Sequence, residues 1–119
     1  MRVEHLSFED LVFLAQGLRL GPVKDMGALD AATARARSRV FGQDAYPSLA
    51  LKAAALMHSI CRTHGLEGDN GRLAVAAADN FLRLNGARLS PPDDEAIDLA
   101  RGITDGRFDV PQIADVLTN

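Results

Sequence analysis

Tryptophan is absent from this chain of 119 residues, and aromatic side chains make up only 5% of it. A core with so few rings must be built from Leu, Ala, Val and Ile, a palette that favours packed helices over a β-sandwich. Cysteine occurs once, at Cys61, which excludes an internal disulfide framework and a cysteine-based zinc site. That scarcity points to a reducing, intracellular and hence cytoplasmic setting. No stretch is suited to crossing a bilayer: the most apolar, Ser48 to Cys61, is short and broken by Lys52 and His58. Met1 to Ser7 has no apolar core and contains Glu4, so it does not read as a signal peptide. A basic surplus is also missing. The net charge is −3, whereas nucleic-acid binding usually shows as an excess of Lys and Arg, so no direct DNA binding is expected.

What remains is ordinary globular composition, 47% hydrophobic and 24% charged. The length suits one domain over residues 1–119, with one core. Apolar residues recur at helical spacing almost throughout. Ser7 followed by Glu9 and Asp10 marks a helix start, and Leu11, Leu14, Ala15 and Leu18 continue it to a stop at Gly17. Asp25 is placed to cap a second helix carrying Met26, Leu29, Ala32, Ala36 and Val40 on one face. Arg35, Arg37 and Arg39 at its end read as a solvated basic terminus that suits the helix dipole, or as a phosphate or partner contact.

Val40 to Pro47 reads as an irregular connection with extended character, long enough to be a flap. Ser48 opens a third helix through Arg62, with Leu49, Ala53, Leu56, Met57 and Ile60 on its apolar face. A fourth is expected over Asn70 to Leu84, with Leu73, Ala76, Ala77, Phe81 and Leu84 as its buried stripe. Pro91 to Glu95 opens a fifth, and a sixth begins near Pro111 after Gly106. The expected architecture is all-α, a compact bundle of about six helices with a flap between the second and third.

The stretch from His64 to Arg72 reads His-Gly-Leu-Glu-Gly-Asp-Asn-Gly-Arg. It sets a proton acceptor beside a helix N-terminus, where free backbone N–H groups attract anions. His64 can take a proton from an attacking hydroxyl. Gly65 and Gly68 permit backbone shapes closed to other residues, and Gly71 lets an anion approach the first helical turn. Asn70 offers an amide to orient a phosphate or a target strand, and Arg72 a fork of donors for bidentate phosphate contacts. Together these supply positioning and charge stabilisation, which is most of what phosphoryl transfer asks of a protein. The same residues also make an ordinary helix–turn–helix connection, since Asp-Asn-Gly is a common turn. His58 and Cys61, three apart, are too few for a metal site; Cys61 reads as core, and His5 has no visible partner.

As a combination, the stretch resembles the signature loop of the Fic/Doc (Fido) family, roughly H-x-[FL]-x-[DE]-[GA]-N-[GK]-R between two helices. Lys24 to Asp30, Ala53 to His58 and Asn80 to Gly86 extend the resemblance over most of the chain, on the side of the Doc-like (death-on-curing) toxin branch. The resemblance implies that His64 deprotonates a target hydroxyl and that Leu66 anchors the loop. It further implies that Asn70, Gly71, Arg72 and Arg62 bind the nucleotide, and that a flap over Val40 to Tyr46 aligns a target segment by strand addition. Doc-like toxins transfer phosphate from ATP to elongation factor Tu and are held inactive by a Phd-like antitoxin. Fic relatives more often transfer AMP.

The loop departs from that pattern. The family's acidic residue, which binds Mg²⁺, falls at Gly68, and its small residue falls at Asp69. Moving a carboxylate by one residue displaces its Cα by about 3.8 Å. Asp69 then lies where it can cap the N–H groups meant for phosphate. Glu67 and Asp69 remain the candidates for holding a metal. Gly71 replaces the Lys common in Doc-like members, which is the Fic form, and Val75 replaces a second arginine of AMP-transferring members. The expected function is therefore a Doc-like phosphotransferase toxin acting on a translation factor. The alternatives are an AMP transferase, or a Fido-fold binding module impaired by Gly68-Asp69.

Overall fold

The computed structural model describes residues 2–118. All the described helices but the fourth begin at a side-chain cap or a proline. Ser7 and Asp10 form a reciprocal capping box at the start of α1 (Phe8–Gly17). Asp25 accepts from the Ala28 amide at 3.1 Å to start α2 (Met26–Ala36). Ser48 accepts from the Leu51 amide at 3.0 Å to start α3 (Leu49–Thr63). α4 spans Asn70–Leu84 and α5 Asp93–Thr104, the latter with acids filling its first turn. Asp109 and Gln112 form a second capping box on α6 (Val110–Leu117).

α3 is the central element. It packs against α2, α4, α5 and α6. Ala53, Ala54 and Ala55 are fully buried on it, and their small side chains let the surrounding helices approach closely. The buried residues form one core that includes Leu11, Leu29, Leu73, Phe81, Ile103 and Ile113. The fold is all-α, as expected, with six helices and a small two-stranded sheet among the described residues. No helix among them is long and apolar enough to cross a membrane.

Several expectations are corrected. α2 stops at Ala36, and Val40 leaves its face to join β1 (Arg39–Val40), where it is 56% exposed. The connection read as irregular is a regular antiparallel hairpin of β1 with β2 (Gln43–Asp44), in register Val40↔Gln43. Its turn residues Phe41 (φ 51) and Gly42 (φ 79) are both left-handed, the type I′ geometry whose twist matches that of paired strands. Arg35 is not solvated: its Nε donates to the Tyr46 hydroxyl at 2.8 Å, and its NH1 to His58 Nδ1 at 2.9 Å and Ser59 Oγ at 3.1 Å. Leu84 is exposed while Leu82 is fully buried, so the stripe on α4 turns away from Leu84 in the last turn. Leu18 and Met26 are likewise about half exposed, because they stand at helix ends beyond the contact faces.

Candidate active site

Residues 64–69 join α3 to α4. His64 ends α3 in the left-handed region (φ 52, ψ 60), and Asp69 occupies the same region at the other end (φ 63, ψ 23). Such backbone costs an L-residue about 1–2 kcal/mol and is tolerated best by Asn, Asp and His. The expectation that Gly65 and Gly68 supply the unusual backbone is corrected, since neither has a positive φ. Gly65 is needed for space: a Cβ there would stand 2.6 Å from Leu29 Cδ2. At Gly68 an added Cβ would meet nothing within 4 Å.

The loop is held by the segment between α1 and α2. The Lys24 and Asp25 amides donate to the Gly65 carbonyl at 2.9 and 3.1 Å, and the Glu67 amide donates to the Pro22 carbonyl at 2.9 Å. Val23 and Leu66 form an antiparallel bridge, and Leu66 is fully buried, consistent with an anchor. Asn70 closes the loop from below. Its Oδ1 accepts from the Leu66 amide at 2.9 Å and its Nδ2 donates to the Leu66 carbonyl at 3.0 Å, all buried. Both polar atoms of the Asn70 side chain are therefore occupied, which leaves its backbone N–H as what it can offer an anion.

Asp69 does not cap α4, contrary to expectation: its side chain makes no capping hydrogen bond. The reason lies in the backbone. Ser7, Asp25, Ser48 and Asp109 all cap from extended conformations, whereas Asp69 is left-handed and its carboxylate is aimed elsewhere. The first N–H groups of α4 are consequently left for another acceptor.

These groups open onto a cleft of about 830 Å³. His64, Glu67, Gly68, Asp69, Asn70, Gly71 and Arg72 line one side. α5 and its end line the other, with Ile97, Ala100, Arg101, Thr104 and Asp105. The α5 wall was missed by sequence reading. Arg101 in the last turn of α5 is what any helix end favours, so its type carries no signal of a site. It pairs there with exposed Asp98 at 3.1 Å. Arg62 does not line the cleft. Its NH1 donates to the Thr104 carbonyl at 2.7 Å, bracing the end of α5. Gly71 faces α5, where a Cβ would stand 3.4 Å from Ala100 Cβ. Val75 is buried and does not reach the cleft.

Among the described residues no group of three or more His, Cys, Asp or Glu side chains is arranged to hold a metal. Glu67 and Asp69 both line the cleft. Mg²⁺ commonly takes one or two carboxylates and completes its shell with substrate phosphates and water, and Asp69 is not spent on capping. Elsewhere, Cys61 is buried as expected, and burial pushes its thiol up to about 11. Burial lowers the titration of His58, helped by nearby Arg35 and Arg62. His5 does have a neighbour, the Phe81 ring at 5.9 Å.

The site is thus a histidine-bearing loop leading into the open N-terminus of α4, which faces α5 across the cleft. The chain belongs to the Fic/DOC family, whose model matches residues 5–82. It is also 43% identical over 116 residues to a protein named Toxin Doc from Mycolicibacterium smegmatis (strain ATCC 700084 / mc(2)155), covering 93% of this chain and 88% of that relative.

Proposed function

We propose that the chain is the toxin of a toxin–antitoxin pair, and that it transfers the terminal phosphate of ATP to a hydroxyl of a translation factor of the elongation factor Tu class. A Phd-like antitoxin would hold it inactive. The observation that carries this reading is the uncapped N-terminus of α4, opening into a cleft that His64 and Arg72 also line. A phosphate seated on the amides of Asn70, Gly71 and Arg72 would be gripped by N–H groups and by the Arg72 guanidinium. His64 accepts the proton of the attacking hydroxyl as its oxygen bonds to the terminal phosphorus. The bond to the bridging oxygen breaks, and ADP leaves with that electron pair. Glu67 and Asp69 would hold Mg²⁺, which when bound offsets phosphate charge.

AMP transfer is the second reading. It is favoured by Gly71, where no side chain fills the space beside the helix N-terminus, and it is opposed by Val75, which is buried. ATP labelled separately at its α and γ phosphates tests both, in a lysate and on purified elongation factor Tu. The γ label should transfer, and His64→Ala should reduce transfer by about 10²–10⁴-fold. Transfer of the α label alone replaces phosphate by AMP. If no label transfers and calorimetry of Mg²⁺-ATP shows no heat, the chain is a non-catalytic module.

A further inference from the structure

The hairpin of β1 and β2 has no apolar attachment of its own. Residues 39–45 are all exposed, and Phe41 at its tip is fully so. A two-stranded ribbon of this size is at best marginally stable alone in water. Its base is nevertheless tied down by two cations that the hairpin does not supply. Lys52, on α3, is only 2% exposed. Its ammonium donates to Asp44 Oδ2 at 3.0 Å and to the Tyr46 carbonyl, immediately after β2. Arg35, at the end of α2, donates to the Tyr46 hydroxyl at 2.8 Å and also lies 5.5 Å from the centre of the Tyr46 ring. His58 and Ser59 of α3 fix the far side of the Arg35 guanidinium at 2.9 and 3.1 Å.

A nearly buried lysine is costly unless its donors are satisfied. Here the satisfying groups belong to the hairpin, so the cost of releasing the hairpin includes leaving a buried ammonium without partners. Asp44 shows the same coupling from the other side, its carboxyl held below the usual carboxylate range chiefly by the hydrogen bond from Lys52. α3 also ends at His64. One rigid helix therefore carries the hairpin tie at one end and the candidate base at the other.

We propose that Lys52 and Arg35 are positioning residues that hold the β1–β2 hairpin at a set place relative to His64, so that a protein segment paired with the hairpin meets the cleft in register. The functional half rests on the transferase reading above; the mechanical half does not. Lys52→Met keeps the volume and removes the donors, and Tyr46→Phe removes the hydroxyl that accepts from Arg35 while keeping the ring and its packing.

Hydrogen exchange is read at the Ala45 amide, which donates to the Ser38 carbonyl at 3.0 Å across the hairpin base. In both variants it is expected to exchange about tenfold faster or more, while amides within α3 and α4 keep their protection. Calorimetry should give unchanged Mg²⁺-ATP affinity. In phosphate transfer to purified elongation factor Tu, KM should rise about tenfold, with kcat at saturation nearly kept. Unchanged Ala45 exchange overturns the proposal, and Tyr46→Phe decides it if Lys52→Met does not fold. Faster exchange with an unchanged KM overturns the positioning role. If the unaltered chain modifies nothing, the transferase reading has failed, and the positioning role with it; the exchange result then still decides whether these cations hold the hairpin.

Discussion

Exchanging the two displaced loop residues, Gly68→Asp with Asp69→Gly, separates binding from stability. The steric cost is small. A Cβ at residue 68 meets nothing within 4 Å, and its backbone is not left-handed. At residue 69 the φ of 63° is one that glycine adopts freely. Relief of that left-handed backbone is worth about 1 kcal/mol. One loss opposes it: a carboxylate leaves the residue before the helix, costing about 0.5 kcal/mol; the unfolded-state freedom glycine adds at 69 is cancelled by its removal at 68. The net gain is about 0.5 kcal/mol, so Tm should stay within about 4 °C.

Binding should change more. Moving the carboxylate from residue 69 to residue 68 takes it off the phosphate seat to the position where the family pattern has its metal-binding acid. A metal ligand is thus kept while a repulsion of about 1 kcal/mol at 4 Å in water, and more in a drier site, is relieved. That corresponds to about fivefold tighter Mg²⁺-ATP. Titration calorimetry with and without Mg²⁺ reads it. Equal or weaker affinity in the exchanged variant, at unchanged Tm, would refute the reasoning and mean that Asp69 serves the nucleotide where it stands.

Asn70→Ala should destabilise the chain by about 2–5 kcal/mol, because the buried amide and carbonyl of Leu66 both lose their partner; a denaturant midpoint that barely moves would contradict this. Cys61 should resist a thiol reagent at pH 8 in the folded chain and react promptly in guanidinium, since it is buried with its thiol pushed up to about 11. His58 has a folded value below its ordinary 6.5, from burial first and then Arg35 and Arg62, with Asp109 opposing. The folded chain thus binds fewer protons than the unfolded chain just below pH 6.5, so stability falls as pH drops through that window. His5 is lowered in the same direction, chiefly by burial. Thermal melts from pH 7.5 to 5 should show the fall, and His58→Gln should flatten it; an unchanged slope would count against this origin.

Helix starts were legible because capping is local. Ser7, Asp25 and Ser48 each bond an amide three residues ahead, a relation that depends on neighbours in sequence alone. The same locality misled at Asp69. Its residue type promised a cap, but a strut from residues 22–25 fixes the loop, and the left-handed backbone at Asp69 turns its carboxylate off the helix. Arg35 misled in the same way: its place at a helix end suggested solvent, and only the approach of Tyr46, His58 and Ser59 made it part of a polar knot.

The sequence by itself determined the helical class, the positions of the helices and the loop that carries His64 and Arg72, because periodicity, caps and glycine turns act over a few residues. Tertiary structure alone decided that α5 forms the second wall of the cleft, that Arg62 braces the end of that wall, and that Lys52 is buried beneath a hairpin. Those facts depend on which helix faces meet across the core. A chain read residue by residue shows that a face is apolar, but not which other face will cover it.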